Sequence, residues 1–162
     1  MHPLTNIGPR HRQLKAADVD SMLARGNALW DGIYDPHSKK LLAKLAQSHP
    51  DLPVHILTSH YSHLLSDPPS SARPADAAKV GRILTSVVAI ACLRAQGGVG
   101  PQVTSHVFGL RKAAEENLEG DELVQGGDFL TSEEGAKWVI EQVDRFVQVV
   151  AHGPAFATRA KL

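Results

Sequence analysis

Gly100-Pro-Gln-Val-Thr-Ser-His-Val-Phe-Gly-Leu-Arg-Lys-Ala113 is the stretch on which the reading of this chain turns. Pro101 falls in the first turn of a helix, where its missing N–H costs nothing and its fixed φ suits helical entry. Glycines at 97, 98 and 100 separate this helix from the apolar run Val80 to Ala95. His106 lies one turn from Gln102 and Val103 on one side and from Leu110 on the other, so its ring borders an apolar stripe and should be half-buried. An imidazole held in that way can move protons near neutral pH.

Outward from this helix, every periodic segment reads as helical. Val19, Met22, Leu23 and Ala24 form a stripe within Asp18 to Leu29. Asp35-Pro36 is a helix start, an Asp cap followed by proline, and that helix runs through Leu41, Leu42 and Leu45 to about Gln47. Ser48-His-Pro-Asp51 is a break with a new cap at Asp51, and Pro53 fits the first turn. Ile56, Leu57, His60, Tyr61, Leu64 and Leu65 then make one apolar face. Asp67 to Pro74 is a proline-rich linker. Ala75 to Ala95 is a central helix, apolar on nearly every side from Ile83 to Leu93 and so expected to be surrounded by others. The His106 helix should last to about Asn117, and the acidic, glycine-bearing stretch Leu118 to Leu130 reads as a surface loop. Thr131-Ser-Glu-Glu134 is a capping box. The closing helix carries Val139, Val143, Phe146, Val147 and Val150 at helical spacing and stops at Gly153-Pro154. The spacing predicts an all-α chain of five or six helices: a loose arm over 1–15 and one helical domain over 16–155.

Composition excludes several classes. The 162 residues carry 17 basic and 17 acidic side chains, a balance that argues against nucleic acid or an anionic membrane as partner. The basic cluster Arg10, His11, Arg12 and Lys15 reads as a solvated tail. Cys92 is the only cysteine. An internal disulfide and any Cys-x-x-Cys motif are therefore excluded, and Cys92 itself reads as a small core hydrophobe. The first 30 residues hold no apolar run of a secretory signal, and the run at 80–95 is too short and polar to span a bilayer. A soluble, cytoplasmic protein is expected.

Four groups of residues could carry chemistry. His106 could protonate or deprotonate a carbon beside a carbonyl, held by Gln102 or by the hydroxyls of Thr104 or Ser105; equally, it could fix packing by bonding a neighbouring helix. His60 shares the Ile56–Tyr61 face and can point inward toward the His106 helix. The Tyr61 hydroxyl could donate to an anion there, or Tyr61 could simply be a core ring with its oxygen at the surface. Arg82 is the only charge in the apolar run before Arg94. A buried guanidinium needs a partner, so either protein groups supply one, a substrate carboxylate does, or the side chain snorkels. His60 and His63 at i, i+3 lack a third ligand, and no metal site is expected. Gly97-Gly98-Val-Gly100 lacks the lysine and strand of a phosphate loop. Trp30, Tyr34 and Trp138 are expected to pack between helices or subunits.

Taken in order, Arg82-Ile-Leu-Thr85 on a buried helix, Gln102-Val-Thr-Ser-His106, the following Val-Phe-Gly-Leu, and the Thr131-Ser-Glu-Glu134 cap resemble the carboxymuconolactone decarboxylase family, within the alkylhydroperoxidase D-like (AhpD-like) superfamily. Leu57-Thr-Ser-His-Tyr61 is similar to a Thr-Glu-Tyr stretch of those decarboxylases, and about two thirds of the chain is covered. The peroxidatic branch has a Cys-x-x-Cys whose positions here are Val99 and Gln102, so the resemblance implies no thiol peroxidase chemistry. His60 replaces the glutamate of Thr-Glu-Tyr. What the resemblance implies is an AhpD-like bundle of five to seven helices that assembles as a trimer or hexamer. It further implies a lyase without cofactor, acting on a small carboxylated or lactone-type compound by decarboxylation or proton transfer beside a carbonyl. His106, His60 and Arg82 would be catalytic there, with Gln102 and Tyr61 binding the substrate. The alternative is a non-catalytic binding or assembly protein that has lost the peroxidase cysteines.

Overall fold

A computed structural model describes residues 15–67, 80–115 and 124–152. The described residues are helical, with no strand among them. A 3-10 turn at Ala16–Asp18 enters α1 (Val19–Tyr34), followed by α2 (Ser38–Ser48) and α3 (Asp51–His55). Without a break, α3 passes into a π-helical segment (Ile56–Leu65); then come α4 (Gly81–Gln96), α5 (Gly100–Lys112), α6 (Gly127–Thr131) and α7 (Glu133–His152). The all-α expectation is met. Residues 1–14 of the expected 1–15 arm, most of the Asp67–Pro74 linker, Ala75 to Lys79, the stretch from Glu116 to Leu123 and the Gly153-Pro154 stop lie outside the described residues.

Two apolar clusters hold the fold. Trp30, Ile33 and Tyr34 of α1 pack with Tyr61 of the π segment, sealed by Leu41, Leu42 and Leu45 of α2. Ile83 and Ile90 of α4 meet Leu110 of α5 and Ala136 and Val139 of α7. Helix α5 joins the halves, because it packs on both α1 and α4. Gly109 allows the first contact: a Cβ there would sit 3.0 Å from Ile33 Cγ2. Arg82, only 5% exposed, ties the same three helices by donating to Gly32 O of α1 and Gly109 O of α5, both at 2.8 Å. It also donates to Ser86 Oγ at 2.9 Å.

Several local expectations need correction. Asp35 ends α1 rather than starting α2: its N–H bonds Asp31 O, the Asp35–Pro36 bond is cis, and α2 begins after His37. The closing helix is capped one residue later than Thr131. Gly135 N–H donates to Ser132 Oγ at 2.9 Å, while Thr131 Oγ turns back to Gly127 O. The 118–130 stretch is not all loop, since α6 starts after Gly126, whose φ of +77° is left-handed. Helix α4 is not surrounded. Arg82, Ile83, Ser86 and Ile90 face the bundle at i, i+1, i+4 and i+8, which leaves Val88 and Cys92 exposed on the opposite side. Cys92 is therefore not a core residue.

The π winding corrects a further expectation. Bonds of the i→i+5 kind, such as Ser66 N–H to Tyr61 O at 3.1 Å, widen each turn. The inner positions become Ile56 and Leu57, then Tyr61 and Ser62, then Leu65 and Ser66. An α-helical reading places His60 and Leu64 on that face; both are exposed.

Candidate functional site

His106 is 3% exposed, deeper than the half-burial its stripe suggested. Its Nε2 lies 3.0 Å from the Tyr34 hydroxyl, which lies 3.1 Å from the Tyr61 hydroxyl. The three groups come from α5, the last residue of α1 and the π segment, so the site forms only where the two halves of the fold meet. Trp30 walls it, with its ring 4.2 Å from Tyr34 and 4.9 Å edge-on from Tyr61.

The electrostatics keep this chain neutral. Burial first, and the Arg82 charge second, push the His106 imidazole down to about 4. Burial also raises both phenols, so neither tyrosine ionises at neutral pH. Nδ1 of His106 is buried and has no hydrogen-bond partner among the described residues. A bare ring nitrogen there costs less than a buried N–H without an acceptor, which rarely survives in proteins. The hydrogen therefore belongs on Nε2. His106 then donates to Tyr34, and Tyr34 is left to donate onward to Tyr61 or to a ligand oxygen. The result is a neutral, directed pair of donors.

The remaining residues singled out from the sequence fall elsewhere. Tyr61 joins the chain. Arg82 touches His106 through its field, but its guanidinium is held by Gly32, Gly109 and Ser86, so protein groups supply the partner that a substrate carboxylate was invoked to provide. His60 is exposed and stacks edge-on against His55 at 5.1 Å instead of pointing inward. Gln102 is exposed one turn below His106, and the hydroxyls of Thr104 and Ser105 bond back to Gly100 O and Pro101 O. None of these three orients the imidazole. Among the described residues, no group of three or more His, Cys, Asp or Glu is placed to hold a metal ion, and no helix is long and apolar enough to cross a membrane.

Tyr34 is the residue that sequence reading placed in packing alone. Its partner is 72 residues away, so no local motif links them. The signal was the i, i+3, i+4 stripe Trp30, Ile33, Tyr34 running on from the Val19–Leu29 pattern. Tyr34 is the member of the hydrogen-bonded chain that borders open space, while His106 and Tyr61 do not line it. With Ile33, Phe108 and residues of α2, Tyr34 lines an open groove of about 560 Å³. A smaller space of about 320 Å³ is lined by Arg82 itself, with Arg25, Gly32 and Thr85 among its neighbours. Compared with family models, curated proteins and solved structures, the chain matches none.

Proposed function

We propose that this protein is a cofactor-independent enzyme of the carboxymuconolactone decarboxylase type, which stabilises an enolate formed beside the carbonyl of a small carboxylated or lactone-like compound. The observation that carries this reading is the buried His106 Nε2 to Tyr34 hydroxyl contact, on a tyrosine that also borders a ligand-sized groove. Loss of carbon dioxide leaves its bonding electron pair, and so negative charge, on the carbonyl oxygen as an enolate, which takes a proton from solvent water at carbon. Loss of a proton next to the carbonyl leaves the same enolate, the proton passing to solvent water. A neutral donor pair fixed in a water-poor site stabilises such charge with little reorganisation. Because His106 and Tyr34 are both uncharged at neutral pH, they polarise the oxygen without leaving behind an isolated buried ion. Arg82 contributes a fixed positive field that, second to burial, keeps the imidazole neutral.

A panel of small oxo acids and carboxylated lactones tests this, read by mass spectrometry for carbon dioxide loss and by NMR for deuterium exchange beside the carbonyl. Tyr34→Phe removes the terminal donor and should lower turnover roughly 10²–10³-fold; His106→Ala should abolish it, with helical circular dichroism retained. A Tyr34→Phe protein with undiminished turnover would end the proposal.

The second reading, a non-catalytic binding or assembly protein, draws on the guanidinium of Arg82 being engaged by backbone carbonyls. Absence of both turnover and exchange across the panel would favour it. Both readings include assembly. Phe146 and Val149 are 71% exposed, with Val150 at 57% and Trp138 at 46% on the same helix, an apolar face that suits helix packing between copies. Sedimentation should give a trimer or hexamer, and Phe146→Glu with Val149→Glu should shift it to monomer. A monomeric wild type at micromolar concentration contradicts this.

A further inference from the structure

We infer that the groove beside Tyr34 is a binding site for a small amphipathic carboxylate, an anion with an apolar body. Its position is set by the α1–α2 corner. Asp35, Pro36 and His37 form the turn, Lys40, Leu41 and Lys44 face it from α2, and Ser105, Phe108 and Lys112 close it from α5. A volume of about 560 Å³ lies within the span of small-molecule sites, roughly 300–1,000 Å³.

The charge in this groove is one-sided. Lys40 and Lys44 stand one turn apart on α2, so both ammonium groups reach the same edge. Lys112 donates to Gly32 O at 2.9 Å and to Asp35 O at 3.0 Å. It is thus held in place by neutral carbonyls. Among the described residues, none of the three lysines forms an ion pair, and Asp35 is the only acid on the lining. Helix α2 adds to this field, since its first turn borders the groove and carries no side-chain cap, leaving N–H groups and the positive dipole end without a side-chain acceptor.

The walls are apolar. Ile33, Tyr34, Pro36 and Leu41 line the groove, and Phe108 stands 59% exposed at its lip. An exposed phenylalanine facing a lysine pair suits a ligand with a hydrophobic stem and an anionic head. An inorganic anion would leave the walls unused, and a neutral oil would leave the lysines unanswered. The binding claim stands on the groove alone. That the bound anion is the substrate of the His106–Tyr34 pair rests on the reading given above.

Octanoate serves as the probe, titrated into the full chain by NMR or calorimetry with octanamide and octylamine as matched controls. Octanoate should saturate at millimolar concentration or below and bind about tenfold more tightly than octanamide. Added salt should weaken it, and octylamine should not bind. Lys40→Glu with Lys44→Glu, both at exposed positions, should cost octanoate at least tenfold while leaving octanamide unchanged. Phe108→Ser should weaken both. His106→Ala should keep octanoate affinity whatever its effect on turnover, so a failed enzymatic reading leaves this site standing. Equal affinity for acid and amide, or octanoate binding untouched by the double charge reversal, overturns the inference.

Discussion

Gly26→Ala is expected to destabilise the fold by about 3 kcal/mol or more, although alanine is the better helix former. A Cβ at this position in the middle of α1 would sit 2.0 Å from Ser62 Oγ, 2.5 Å from Ser62 Cα and 2.6 Å from Ser62 N. Two of those atoms are backbone, so no rotamer change relieves the clash. Helix α1 and the π segment must move apart. Intrinsic propensity returns only ~1 kcal/mol, against an overpacking cost that typically reaches about 1–3 kcal/mol and exceeds that where backbone must shift. The same separation pulls Tyr34 away from Tyr61, since these two helices carry them. Thermal unfolding should show a midpoint lowered by roughly 10 °C. Gly100→Ala is the matched control, because nothing lies within 4 Å of its Cβ and its backbone is helical; its midpoint should stay near wild type. Equal midpoints for the two variants would mean that α1 and the π segment are not in this close contact.

The sequence displayed the helices because their apolar spacing is local, and it displayed His106 because Pro101 and the glycines upstream set the start of its helix. What it hid depends on geometry that spacing does not carry. The π winding shifts the inner face from His60 to Ser62, and a period between four and five looks like an α pattern over ten residues. Ser132 takes the cap from Thr131 because α6 ends against α7: Phe129 O accepts from Ser132 N and Oγ, and a Cβ on Gly135 would lie 1.8 Å from that same oxygen. Arg82 looked unpartnered because its acceptors are backbone carbonyls 50 and 27 residues away, which no side-chain pattern announces. Tyr34 was missed for the same reason. A hydrogen-bonded chain made from three helices is legible only in its most unusual member.

His106 also gives the protein a pH dependence whose sign follows from its environment. The folded ring titrates at about 4, lowered by burial and then by Arg82, whereas an unfolded histidine titrates near ~6.5. Above about pH 6.5 both states hold the ring neutral, and its contribution is constant. Between that value and about 4 the unfolded chain binds a proton that the native state refuses, so stability falls as the medium becomes more acidic. The slope approaches ~1.4 kcal/mol per pH unit, giving a loss of about 2 kcal/mol near pH 5 and about 3 kcal/mol once both states are protonated. Asp144, held low by its hydrogen bonds from Arg94, loses its share only as pH falls below the ordinary carboxylate range, outside this window. Urea unfolding at about pH 7 and about pH 5 reads the effect directly, with an unchanged m-value confirming that only stability moved. His106→Gln should be less stable at neutral pH yet lose distinctly less on acidification, because glutamine has no proton to take up. If wild type and His106→Gln lose the same stability across that interval, the imidazole is not held neutral by the fold. Under the proposed enzymatic reading, a rate that depends on neutral His106 donating through Tyr34 should stay level through pH 6 instead of declining there, and should drop only as acid unfolding sets in.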